Sequence, residues 1–232
     1  MKFTKSLIKG KLVKRYKRFF TDIKLNKEIV VAHCPNTGSM KGLLDDSNEV
    51  FISKSDNPKR KLKYTLEIIK VKKNLVGVNT HFANKIAQHG LSNNLISELK
   101  DNDSIRSEVF FNKKTRFDFL IEKNNQKIFV EVKNVTLFRD EKIAEFPDSI
   151  TTRGSKHLKT LIDATKKGYK AYTLFLIQIE GIESFKIAKD IDKDYFKNYL
   201  LAKKAGVKFL AYRCKINSKE IKIEKKIKII NE

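Results

Sequence analysis

The sequence predicts a mixed α/β protein in two parts: a small β-barrel or sandwich over residues 1–80, then a domain of helices packed on a central sheet over 81–232. Three observations carry this. Up to residue 80 the apolar residues come in short runs broken by the turn-rich stretches "CPNTGSMKG" and "SDNPKRK", the pattern of several short strands. From residue 81 the apolar period becomes helical. Beyond that, strand runs and amphipathic runs alternate, and such an order places helices on a sheet.

In the first part the strand runs are "KLVKRY", "EIVVAH", "EVFIS", "YTLEIIKV" and "LVGVNT". The second opens with "HFANKIAQHGLSNNLISEL", where Ile86, Leu91, Leu95, Ile96 and Leu99 fall roughly at helical spacing despite Gly90. Three strand runs follow: "IRSEVFF", "TRFDFLIE" and "KIFVEVKNV". "GSKHLKTLIDATKKGYK" is an amphipathic helix that Ser155 can cap, with Leu158, Leu161 and Ile162 as its buried stripe and Gly168 as its stop. "AYTLFLIQI" is a fully buried strand, "DKDYFKNYLLAKKAG" a second helix and "VKFLAYRC" another strand. The tail "KINSKEIKIEKKIKIINE" fits either an edge strand or a basic arm.

The charge balance is strongly one-sided: 50 Lys+Arg against 27 Asp+Glu give +23. Such a field draws in polyanions, of which nucleic acid is the commonest. The first part is the more basic per residue, at net +13 over residues 1–85 against +10 over the remaining 147. Lys14, Arg15, Lys17 and Arg18 interleave with Tyr16, Phe19 and Phe20, and Lys59, Arg60 and Lys61 precede Tyr64. Phosphate contact is the expectation for both clusters. Arg153, Lys156 and His157 fall in the first turn of a helix, whose free N–H groups attract anions.

Cys34 and Cys214 are the two cysteines, without a CxxC partner, which argues against a disulfide framework and for a reducing, cytoplasmic setting. No run approaches the ~18 apolar residues of a membrane span, and no signal-peptide core follows Met1. "HC" at His33–Cys34 supplies only two zinc ligands. The expected partner is therefore a nucleic acid, DNA or RNA, with no membrane and no small-molecule cofactor.

The chemistry concentrates in one hairpin. With Asn124 and Asn125 as its two turn residues, Lys123 faces Gln126 and Asp118 faces Glu131. Phe117, Phe119, Ile121, Ile128, Val130 and Val132 then share one face; Asp118, Glu131 and Lys133 share the other. Two carboxylates about 5 Å apart repel unless something positive intervenes. Mg²⁺ or Mn²⁺ answers this, held by one or two carboxylates and completed by water and phosphate, with Lys133 orienting or deprotonating the attacking water. The same three residues also make an ordinary ion pair on a solvated sheet face.

The segments "RYKRFF", "AHCPNTGSMKGLL", "SDNPKRKLKYTLE", "VGVNT", "RFDFLIE", "VEVKNVTL", "FPDSITTRGSKHL" and "GVKFLAY" resemble, in order, the sugar fermentation stimulation protein A family of prokaryotes. The resemblance implies an N-terminal OB-like β-barrel followed by a PD-(D/E)XK nuclease-like α/β domain. It also implies DNA binding and regulation of sugar-utilisation genes. The family's pattern falls on Asp118 for its acid and on Glu131 and Lys133 for its E-x-K; Phe117 stands where the pattern's proline would be. Sites of this type are often completed by a further acid, for which the resemblance leaves either Glu98 or Glu108.

Overall fold

The first strands, which alternate buried with less buried residues, curl into a barrel. In the computed structural model, which describes residues 1–113 and 115–230, these are β1 (Ile8–Tyr16), β2 (Phe20–Leu25), β3 (Glu28–His33), β4 (Glu49–Lys54) and β5 (Tyr64–Val71). Their order is β3-β2-β1-β4-β5, closed by a parallel pairing of β3 with β5 at Ala32–Tyr64 and His33–Thr65. A sixth strand, β6 (Asn74–Gly77), pairs with β5 as a hairpin. Leu12, Ile23, Ala32, Val50, Ile52 and Leu66 fill the interior.

Strand β2 was not among the expected runs. Its Thr21, Ile23 and Leu25 point inward while Lys24 points out, a clear period of two. The turn that introduces it hides it. Lys17 and Arg18 take left-handed φ angles of 47° and 61°, conformations usually signalled by Gly or Asn.

Helix α1 (Ala83–Ser92) is shorter than its apolar pattern, which ran on to Leu99. Asn94 turns left-handed at φ 55°, and Glu98 falls in a short 3-10 turn, Ser97–Leu99, outside the helix. The main sheet follows: β7 (Ser104–Asn112), β8 (Thr115–Lys123), β9 (Gln126–Val135), β11 (Lys170–Ile177), β13 (Lys208–Ile216) and β14 (Ile221–Lys226), in the order β14-β13-β11-β9-β8-β7. Its centre, β9-β11-β13, is parallel, so both faces are covered. On one side lies α1; on the other lie α2 (Thr152–Lys166) and α3 (Lys193–Lys204).

A small parallel sheet of β10 (Ile143–Phe146), β12 (Ser184–Ile187) and β15 (Lys228–Ile229) was not anticipated. The tail is an edge strand and not a free arm, since Ile221, Ile223 and Ile227 are buried. Thr151, not Ser155, caps α2, its Oγ1 accepting the Gly154 N–H at 3.0 Å. Ser155 lies within the helix. Gly168 ends that turn at φ +84°, as its position predicted.

Cys34 and Cys214 are buried and free. Among the described residues no helix is long and apolar enough to cross a membrane. One apolar cluster joins barrel residues such as Ile52 to Leu158, Phe175 and Tyr199 of the α/β part. The seam is tight: the Gly77 N–H donates to the Gln178 carbonyl at 2.9 Å, and a Cβ on Gly42 would lie 1.8 Å from the Phe138 carbonyl oxygen.

Gly42→Ala is expected to destabilise more than Gly168→Ala. Both glycines are left-handed, but Gly168 faces open space and should cost only the conformational penalty of about 1–2 kcal/mol. Calorimetry checks the order, with a melting temperature for Gly42→Ala lower than that of Gly168→Ala by roughly 5 °C or more.

Candidate active site and nucleic-acid interface

Asn124 and Asn125, both left-handed at φ 49° and 58°, form the two-residue turn of the β8–β9 hairpin. The register runs from Lys123–Gln126 to Phe119–Val130, as the sequence predicted. There the ladder stops, one pair short of the expected Asp118–Glu131 pairing, which does not form. Continued pairing would bring Phe117 opposite Val132, yet the Val132 N–H donates instead to Asp118 Oδ2 at 2.7 Å.

This break corrects one expectation. Phe117 does not share a face with Phe119; its ring lies 5.6 Å from Phe111 and 5.3 Å from Phe129 on the α2 side. Phe119, Ile121, Ile128, Val130 and Val132 pack with Ile86, Ala87 and Leu91 of α1. Once a side chain replaces a ladder bond, strict alternation along β8 fails. On β7, Glu108 adds a left-handed kink at φ 58° beside the same point.

Glu131 is buried on β9, facing α2. Its Oε1 accepts from Lys133 Nζ at 2.7 Å and is also hydrogen-bonded to His157 Nδ1 of α2. Its Oε2 is buried without a protein partner, and so is Oγ1 of Thr173, the β11 residue beside it in register. Burial alone would push the Glu131 carboxyl up, but the Lys133 charge and His157 hold it below the usual glutamate range. Asp118 moves the opposite way. Burial, then repulsion from Glu131, raise it above the usual aspartate range, against the Val132 N–H, Asn84 and Lys133.

Asn84 of α1 donates to Asp118 Oδ1 at 2.8 Å and to Glu108 at 3.5 Å. Among the described residues no three His, Cys, Asp or Glu side chains form a ready ligand group. A small hard cation nevertheless suits the two acids: Glu131 Oε2 is a buried acceptor with no donor, and positive charge beside Asp118 would offset the repulsion that raises it.

Asp118 opens onto a cavity of about 640 Å³ whose wall also includes Glu108, Arg116, Arg153, Lys156 and His157. Glu131 and Lys133 are not part of this wall; His157, which is, is hydrogen-bonded to Glu131. Of the two further acids considered, Glu108 stands in the cavity, paired with Arg116 Nε at 2.7 Å. Glu98 does not; it bonds Lys226 at 2.5 Å and Tyr212 Oη at 2.7 Å.

His157 was placed in the helix's first turn as an anion contact. The structure turns it inward onto Glu131, because it shares the buried stripe with Gly154, Leu158 and Leu161. That stripe was the available signal, as a histidine at core spacing facing a strand that carries an acid needs a buried partner. Arg153 and Lys156 are exposed.

The barrel's basic clusters divide by role. Arg15 braces the 36–38 loop, Arg60 donates to Thr65 Oγ1 at 2.6 Å, and Lys14 lies 3.6 Å from Asp22. Lys17, Arg18, Lys59 and Lys61 are exposed. Tyr16 stacks on Phe20 at 5.5 Å, and the half-exposed Phe19 stacks on His33 at 6.5 Å.

Two family models match successive stretches of the chain: the SfsA N-terminal OB domain over residues 13–78 and the sugar fermentation stimulation protein RE domain over 81–220. A sugar fermentation stimulation protein homolog of Pelagibacter ubique is 80% identical over 231 residues, spanning 100% of both chains. The homolog of Marinomonas is 42% identical across 99% of this chain and 90% of its own. The structure of Pyrococcus furiosus SfsA in complex with Ca²⁺ matches with a TM-score of 0.89 at 24% identity, covering 100% of this chain and 98% of that one, a likeness of fold.

The two acids predict opposite stability effects. Asp118→Asn should raise the unfolding midpoint near neutral pH, because an ionised carboxylate disfavoured by the fold is removed. The raised native pKa means that wild type loses this penalty as it takes up a proton, so the gain shrinks as pH falls toward the unfolded value of 3.8. Lys133→Met should instead cost about 3 kcal/mol by stranding the buried Glu131 charge. Urea titrations from neutral to acid pH measure both.

Proposed function

The chain belongs to the sugar fermentation stimulation protein family, and from that premise we propose that it is a DNA-binding protein whose α/β domain hydrolyses phosphodiesters with Mg²⁺ or Mn²⁺. The observation that carries this is the placement of Asp118, in the wall of a cavity lined by Arg116, Arg153 and Lys156, next to the buried Glu131–Lys133 pair. Asp118 and Glu131 would hold the ion, with Glu108 the nearer of the two candidate acids to complete its surroundings. The Pyrococcus relative's Ca²⁺ is of the same hard, oxygen-seeking class. When bound, Mg²⁺ or Mn²⁺ supplies Lewis acidity toward a phosphoryl oxygen and a more acidic water.

The chain's own residues supply the rest. Lys133 and His157 keep Glu131 ionised and fix its orientation. Arg153 and Lys156 face phosphate oxygens at the start of α2, and Lys17, Arg18, Lys59 and Lys61 extend the electrostatic footprint over the barrel. A second reading, binding without cutting by a regulator of sugar-utilisation genes, is favoured by one feature: Glu131 Oε1 is already occupied by Lys133 and His157.

Purified protein incubated with single- and double-stranded DNA, in Mn²⁺ or EDTA, separates the two. Hydrolysis predicts cutting only with metal, reduced at least about a hundredfold in Asp118→Ala. Equal cutting by that variant overturns the assigned site. Salt-sensitive binding that persists in EDTA and in Asp118→Ala, without cleavage under any condition, selects the regulator instead.

A further inference from the structure

Strand β7 turns its two adjacent phenylalanines to opposite sides. Phe111 faces inward, its ring 5.6 Å from Phe117 and 5.2 Å from Phe129. Phe110 faces outward and remains 69% exposed. It does not stand on featureless surface, since it forms part of the same cavity wall as Asp118, Arg153 and Lys156. Across the hairpin its register partner is Arg116, whose guanidinium carbon lies 5.7 Å from the ring centroid. Arg116 is itself anchored by Glu108 at 2.7 Å.

A planar apolar ring backed by a cation is therefore displayed in a polar wall. Four cations, Lys113, Arg116, Arg153 and Lys156, surround it against the two acids Glu108 and Asp118. Charge complementarity selects an anion, and the ring selects a flat face attached to that anion. A nucleotide chain with an accessible base offers both: phosphates for the cations and a π-face for the ring. An intact duplex conceals its base faces within the stack and offers the phosphates alone.

We propose that Phe110 is a stacking platform for an unpaired nucleobase, so that the cavity takes single-stranded DNA in preference to intact duplex. The inference rests on the nucleic-acid reading of the cavity and extends it to strandedness. Base–aromatic stacking is largely indifferent to base identity, so the platform sets which strand state is bound and leaves sequence unread. Arg116 stiffens the platform from behind, and Glu108 keeps Arg116 from following the phosphate.

The test is fluorescence anisotropy in EDTA, where nothing is cut. The probes are a labelled oligothymidylate of about 12 nucleotides, an abasic strand of equal length and the matching duplex. Wild type should bind the thymidylate more tightly than the abasic strand. Phe110→Ala should lose about tenfold on the thymidylate, much less on the abasic strand, so that the preference for single strand over duplex falls with it; Phe110→Trp should restore it. An equal loss on the abasic and base-bearing strands, or no loss on either, overturns the platform and leaves the proposed hydrolysis standing. Absence of binding to all three probes by wild type overturns both readings together. Circular dichroism of the variants verifies that each is folded.

Discussion

A carboxylate is buried where the central strand β9 meets helix α2, and much of the surrounding architecture keeps that charge satisfied. Removing an ion from water costs several kcal/mol even after relaxation, so Glu131 is tolerable only while Lys133 and His157 bond it. His157 reaches it only if α2 begins close against the sheet. Gly154 lets the same end of α2 close on α3, since a Cβ there would meet Tyr195 at 3.0 Å. Asp192 then accepts the Thr151 N–H at 2.7 Å and the Tyr195 N–H at 2.8 Å. The starts of both helices are thereby tied into one corner beside the site.

The neighbouring acids are pushed in opposite directions by these surroundings, Asp118 up and Glu131 down. Divergence of this kind separates the roles that two like groups can take. Glu131 is fixed in place by its two cationic or imidazole partners. Asp118 is held by donors alone, the Val132 backbone and Asn84, and faces the open cavity. Of the two, it is the acid whose charge the fold disfavours.

What the sequence made legible follows from how local each signal was. The β8–β9 register could be read because an Asn-Asn turn and a period of two agreed. Strand β2 escaped because a Lys-Arg turn carries no turn signature and its neighbours resembled a single basic cluster. The faces of Phe117 and Phe119 could not be separated, because the rotation between them comes from a tertiary bond, Asp118 to Val132. The strands of the small sheet are too short, two to four residues, for periodicity to register. His157 and Glu98 exchanged importance for a related reason. The stripe that buried His157 and the asparagines that ended α1 were visible, but the partners that gave them meaning lay on distant strands.

The close packing at Gly42 has a mechanical consequence. With the Phe138 carbonyl against that glycine, Arg15 bracing the adjacent loop, and Gly77 donating across to Gln178, barrel and sheet form a single stiff body. The angle between their outer surfaces is therefore set before any encounter. A polymer long enough to touch both must bend itself to that angle, and the elastic work falls on the guest. For the proposed nucleic-acid partner, compliance would then be a criterion for admission, favouring a pliable chain over a rigid rod.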